Sequence, residues 1–435
     1  MPETWTSPVT TWLQSGGRLA FEKDLQSRFE SLPEIGALFF PNDACTQSLI
    51  EAHRSICDGL GVLDADTFRA RRTPFLGMCI NRAIERGANG DIDGFRCAFH
   101  GALIHVVDAF VDDFDPKILT RLPNPAGLGQ LHLPARGEVL ALATEAIGEG
   151  AAAKRDTGSS PAHSAAALRL TQQLSLKNGP ALLLEASPLL FEPEYIQKTY
   201  PEVPKPDAFR KLLDHALDFI FLAWPDLKDR FLSDIPYFVP IRQSDATTHN
   251  SFSAQAMVGV IFLSESYDDL KIAEAIVHEY HHNELYMYMQ LNPLISESGF
   301  ERLFYSPWRN DARPLFGLLH ACYVFTGVVQ YMRAVEERAH DPKFSGYFSR
   351  MRRLILWRLG IGLSQIQTSD VTSFGQELVG WLHNQLDRHR RDFDNLQFDD
   401  LPTEIGDHLA TWRRRYPDLS LFLRNLPSFA GSSSH

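Results

Sequence analysis

The stretch from residue 257 to residue 291 constrains this chain more than any other. It opens with "MVGVIFLS", an apolar, β-rich run that reads as a buried strand. Ser266 and Asp269 then supply the two halves of a capping box. A helix follows through "AEAIVHEYHHNELYMYM", and it has to stop before Pro293, because the residue before a proline avoids helical dihedrals. This helix carries His278, Glu279 and His282 as an H-E-x-x-H. Residues four apart on a helix share a face, with Cβ atoms about 5–6 Å apart. Two imidazoles so placed can reach one cation at about 2.0–2.1 Å. The bland alternative is a surface helix that happens to be rich in histidine. His281 is also on the helix, three residues from His278. Spacing of four is the better-attested ligand geometry, so His282 is the expected partner and His281 a neighbour.

A third ligand decides the chemistry. The extended metzincin pattern fails, since Leu285 stands where it needs glycine and Tyr288 where it needs histidine. A gluzincin needs a glutamate some way downstream, and Glu301 is the candidate. The intervening "NPLISESG" argues against it, because proline and glycine interrupt a helix. The other candidate is His320, near the start of an otherwise apolar helix expected from Pro314 to about Glu337. A histidine in such a place is often a hydrogen-bonded core residue. Its nearness to an H-E-x-x-H helix favours ligation.

The rest of the chain supplies context. With 435 residues, 44% of them hydrophobic, it is long enough for two or three domains. Helical periodicity dominates residues 1 to about 120, and "GEGAAAKRDTGSSPAHSAA" reads as a linker. We therefore expect a helical N-terminal region, 1–155, suited to peptide or leader recognition, and a metal-binding catalytic domain, 156–435. The expected fold class is mainly α, with a small β-sheet beside the H-E-x-x-H helix in a zincin-like local geometry. A net charge of −12 makes nucleic acid an unexpected partner. The longest uninterrupted apolar runs, "FIFLAW" and "AMVGVIFL", are too short to cross a membrane, and no signal peptide is visible. The five cysteines form no C-x-x-C, which fits a reducing cytoplasm. His105, Asp108 and Asp112 share a helical face near His100, and a solvated polar face is the favoured account of them. Cys322 reads as packing.

The H-E-x-x-H helix followed by "YSPWRNDARPLFGLLHACYVF" resembles a family of bacterial proteins encoded near ribosomally made peptides. These are 2-oxoglutarate- and Fe(II)-dependent peptide β-hydroxylases of the αKG-HExxH type. The likeness covers roughly residues 235 to 340. It implies that His278, His282 and His320 hold Fe(II), with 2-oxoglutarate and O2 as co-substrates. It further implies a ribosomal precursor peptide as substrate, hydroxylated at a side-chain β-carbon. On that reading Glu279 need not act as a base.

The anchor for 2-oxoglutarate is argued from chemistry instead. A carboxylate calls for a fixed guanidinium. Arg309 and Arg313 both precede His320, and Arg313 is preferred. Ser253, Tyr305 and Ser306 are further hydroxyl donors. Two other readings stay open: a Zn2+ metallopeptidase with Glu279 as base and Glu301 as third ligand, and a non-catalytic peptide-binding protein. The sequence does not give the oligomeric state.

Overall fold

The chain is described from a computed structural model. It describes residues 7–60, 68, 74–109, 130–133, 138–141, 167–169, 173–183, 195, 197–200, 203, 205–242, 249–264, 269–300, 302–339, 342–391, 393 and 402–417. The fold is mainly helical, with small sheets of mixed direction. Two compact units are present. Unit 1 comprises Met1–Gly17, Lys211–Ile235 and Ser266–His435; unit 2 comprises Arg18–Arg210 and Pro236–Glu265. Each unit is thus assembled from separate pieces of chain. The boundary expected near residue 155 lies outside the described residues, as do Ser266, Asp112 and Glu301.

The elements run in this order. A short helix α1 (Pro8–Trp12) is fixed at its start by Ser7, whose side chain accepts a hydrogen bond from the Thr10 backbone N–H, with Pro8 at the first turn. Helices α2 (Arg18–Glu30), α3 (Leu32–Phe39), α4 (Ala44–Leu60), α5 (Pro74–Ala88) and α6 (Ile92–Ala109) follow. Strands β1 (Gln130–Leu133), β2 (Glu138–Ala141) and β3 (Ala167–Arg169) form a three-stranded sheet in the order β2-β1-β3. Then come β4 (Gln173–Ser175), β5 (Ala181–Leu183), helix α7 (Pro206–Ala223), helix α8 (Lys228–Asp234), β6 (Tyr237–Pro240), β7 (Ser251–Phe252) and β8 (Val260–Leu263). The H-E-x-x-H helix is α9 (Asp269–Leu291). A single turn, α10 (Glu297–Phe300), and a ribbon of β9 (Leu303–Phe304) and β10 (Arg313–Pro314) lead into α11 (Leu315–Ala339). Helices α12 (Pro342–Leu363), α13 (Ser373–Arg391) and α14 (Thr403–Arg415) close the described chain.

Unit 2 has one continuous core. Leu49, Ile56, Leu76, Ile80, Phe95, Phe99 and Leu103 from α4, α5 and α6 pack with Val239, Val260 and Phe262 of the five-stranded sheet β4-β5-β6-β8-β7. In that sheet β6 pairs in parallel with both β5 and β8, and the edge strands β4 and β7 are antiparallel. All four residues of β8 are buried, as its unbroken apolar sequence requires. The strand begins later than "MVGVIFLS" suggests. Met257 closes a 3-10 turn, and Gly259 has φ of 103°, a left-handed conformation that glycine adopts without steric cost.

Unit 1 packs α11 between α9 and α12. Leu315–Arg338 is long and apolar enough to cross a bilayer by length and composition, although most of it is buried inside the protein. Its apolar character was masked in the sequence by the scattered polar residues His320, Thr326 and Gln330. The sheet and the H-E-x-x-H helix belong to different units.

Candidate metal centre

Helix α9 supplies two histidines and α11 the third. The α9 helix is 23 residues long and ends two residues before Pro293, as the proline demands. Its buried positions include Ile272, Ile276, Val277, Tyr280, Leu285 and Tyr288. His278 and His282 lie one turn apart, with ring centroids separated by 5.0 Å. From α11, His320 reaches His282, and their Nδ1 atoms are 3.1 Å apart. The two rings are nearly parallel at 22°, with centroids 5.4 Å apart.

The far side of His320 is occupied too. Its Nε2 lies 3.1 Å from the Met289 sulfur. A thioether only accepts, so this contact places the proton on Nε2 and leaves a lone pair on Nδ1, the atom that faces His282. Phe316 and Tyr286 cover His320, with ring centroids 4.3 and 5.0 Å away. Burial pushes all three imidazoles down: His278 and His282 fall well below the ordinary value, each further opposed by neighbouring histidines, and His320 falls to about 3. Near neutral pH the three rings are therefore uncharged, the state a metal ligand must be in.

Two nitrogens bound to one ion at about 2.0–2.1 Å stand about 2.8–3.4 Å apart, according to whether the angle between them is octahedral or tetrahedral. The separation between His282 and His320 falls in that range. His278 stands outside this closest pair, and among the described residues no group of three His, Cys, Asp or Glu side chains is gathered as a finished metal cage. The donor set thus fits Fe(II) or Zn2+ in its chemistry, and two of its members fit in spacing.

The remaining expected residues are placed as follows. Glu279 is buried beside His278 on α9. His281 is engaged away from His320, with its Nδ1 2.8 Å from Glu284. Arg313 pairs with Asp311 at 2.9 Å, and its methylenes lie along Gly317. Arg309 is exposed, and it stands close enough to His278 to oppose a positive charge there. Tyr305 bonds His408 at 2.8 Å and belongs to the apolar cluster of Trp357, Ile361 and Trp412. Ser306 is buried, with its hydroxyl 3.4 Å from the Trp308 backbone nitrogen. Ser253 belongs to unit 2, whereas α9 and α11 belong to unit 1. Cys322 is fully buried in α11, as packing requires. No family model matches this chain, and no curated protein matches it.

Sequence reasoning missed the polar network beneath the histidines. Glu284 is fully buried and gathers the Tyr280 hydroxyl at 2.9 Å, His281, Arg230 at 3.3 Å and the Tyr323 hydroxyl at 3.4 Å. Tyr280 also reaches Asp234, and Tyr323 lies 3.3 Å from Ser7. Burial pushes the Glu284 carboxyl up, but the hydrogen bond from His281 and the charge of Arg230 outweigh it and hold it below the usual carboxylate range. The signal was partly present: Tyr280, His281 and Glu284 are spaced i, i+1, i+4 on one flank of α9. Their partners on α8, α11 and the N-terminal segment follow only from the fold.

Proposed function

We propose that this protein is a non-haem Fe(II)- and 2-oxoglutarate-dependent hydroxylase that places a hydroxyl on a side-chain β-carbon of a ribosomally made peptide. The observation that carries the reading is the contact between His282 and His320. Two neutral imidazoles from separate helices meet nitrogen to nitrogen at a ligand-like distance, one turn from His278. His320 further has its other nitrogen satisfied by Met289, the orientation a ligating histidine needs. The peptide substrate and the β-carbon rest on the family resemblance.

In this scheme His278, His282 and His320 hold Fe(II), which with 2-oxoglutarate and O2 supplies the oxidising power to hydroxylate an unactivated C–H bond. Three protein ligands leave room for both co-substrates on an octahedral ion. Tyr286, Phe316, Met289 and Phe325 set apolar surface against the imidazoles. Glu279 has no proton to move here; in a zinc peptidase it would activate water.

The test is direct. Anaerobic addition of Fe(II) and 2-oxoglutarate is expected to raise a weak visible charge-transfer band. Aerobic turnover with the candidate precursor peptide is expected to add one oxygen by mass. A cleaved peptide, supported by Zn2+ and abolished by Glu279→Gln, would replace this reading with the peptidase.

A further inference from the structure

Helices α9 and α11 run antiparallel where the histidines meet. His278 packs on Phe325, while His282, Tyr286 and Met289 all reach His320, so residue numbers rise on α9 as they fall on α11. The other flank of α9 carries Glu284. Its Oε1 accepts from the Tyr280 hydroxyl at 2.9 Å and from Arg230 at 3.3 Å. Its Oε2 accepts from His281 at 2.8 Å and from the Tyr323 hydroxyl at 3.4 Å. Four donors fill the four lone-pair directions of a carboxylate. Arg230 comes from α8 and Tyr323 from α11, so three helices of unit 1 meet on one side chain. The His281 ring lies against α11 at Gly327, where a Cβ would overlap it.

Stability alone does not account for this group. Burying a carboxylate with a guanidinium is costly, and well-packed apolar side chains of similar volume generally serve as well or better. Apolar contacts are not directional and let one helix slide along another; hydrogen bonds fix the sliding position. Glu284 is two residues past His282 and Tyr323 three past His320. At 1.5 Å per residue these are offsets of about 3 and 4.5 Å along the two axes. The bond between Glu284 and Tyr323 thus crosses the helix pair within a turn of the contact between His282 and His320.

We propose that Glu284 is a positioning residue for the metal centre: through Tyr323 it sets the register of α9 against α11, and with it the separation of His282 and His320. The role rests on the three-histidine centre proposed above, whichever reaction that centre catalyses. Metal ligands tolerate departures of only about 0.2 Å, so a small slip of one helix weakens the ion's hold.

The experiment is titration of the full chain with Co(II), read by the visible bands of the bound ion, beside urea denaturation of the metal-free protein. Tyr323→Phe keeps the ring and removes the hydroxyl, and is expected to weaken Co(II) about three- to tenfold. Glu284→Asp keeps the charge and withdraws the carboxylate by one methylene; it is expected to weaken Co(II) about ten- to a hundredfold and to shift the bands. Tyr331→Phe makes the same change further along α11, at a hydroxyl that meets no partner among the described residues, and should stay within about twofold. This ranking supports the register role, and Tyr323→Phe decides it alone if Glu284→Asp does not fold. A merely structural role would lower the urea midpoint and leave the affinity and bands of the folded chain as in wild type; that result overturns the proposal while the centre stands. A wild-type chain that binds no Co(II) overturns the centre and the proposal together.

Discussion

At the residue scale, the argument turns on small side-chain differences. Gly327 of α11 faces His281 so closely that a Cβ there would overlap the imidazole ring. Because His281 is buried and bonded to Glu284, it has nowhere to retreat. Gly327→Ala should therefore destabilise the protein by about 1–3 kcal/mol, read by urea denaturation, despite the higher helix propensity of alanine. A neutral result would mean that the His281–Glu284 contact is loose. Removing Glu284 should cost more. Glu284→Ala strands Arg230 inside the protein and is expected to lose about 3–5 kcal/mol, with Glu284→Gln losing clearly less because it keeps a hydrogen-bonding amide. Equal losses would show that charge, not hydrogen bonding, dominates there. The spacing of four that sets His278 and His282 on one face was legible in the sequence; that His282 turns to His320 while His281 turns to Glu284 is shown only by the structure. The pairing of Arg313 with Asp311 was not legible there. It depends on a turn that brings Asp311 onto Arg313, and sequence distance cannot show which of two arginines a neighbouring carboxylate captures.

At the element scale, the helices of unit 1 were read well. The stop of α9 before Pro293, the start of α11 after Pro314, and the helices α12, α13 and α14 all follow from proline placement and apolar periodicity. The start of β8 was set three residues late, after Gly259, a local backbone requirement hidden in an apolar run. Helices α4 and α6 carry a testable consequence of burial. His100 is buried with neither ring nitrogen hydrogen-bonded among the described residues, and burial lowers it to about 4; His53, whose Nε2 bonds the Phe29 carbonyl, falls to about 4 as well. Both are held below the unfolded value near 6.5, so the unfolded chain binds more protons between those limits. Their contribution is complete above about pH 6.5, declines as pH falls, and is lost by about pH 4. His100 alone accounts for about 3 kcal/mol of that loss. His100→Leu should flatten the pH dependence of stability between pH 7 and 4 by roughly this amount. An unchanged slope would show that the buried ring finds an acceptor on protonation.

At the scale of the whole molecule, the sequence conveyed a helical protein with a small sheet. The first seventeen residues join the unit that carries α9, and the sheet residues 236–265 join the N-terminal helices. Local periodicity says which face of a helix is apolar; it does not say which distant face covers it. Ser7 lies against Tyr323, and Trp12 packs edge-on against Tyr288 at 5.3 Å, so the N-terminal segment supports the helices that bear the histidines. The proposed chemistry depends on that support, because the α9 and α11 rings come from different helices and must meet at one point.

The most direct measurement of that convergence is anaerobic Fe(II) binding by the wild-type chain and two variants. The account predicts one equivalent of Fe(II) on the wild type, at least about a hundredfold weaker binding in His320→Ala, and unchanged binding in Glu301→Ala. Loss of the metal in Glu301→Ala with retention in His320→Ala would contradict it, and would hand the third position on the ion to a carboxylate.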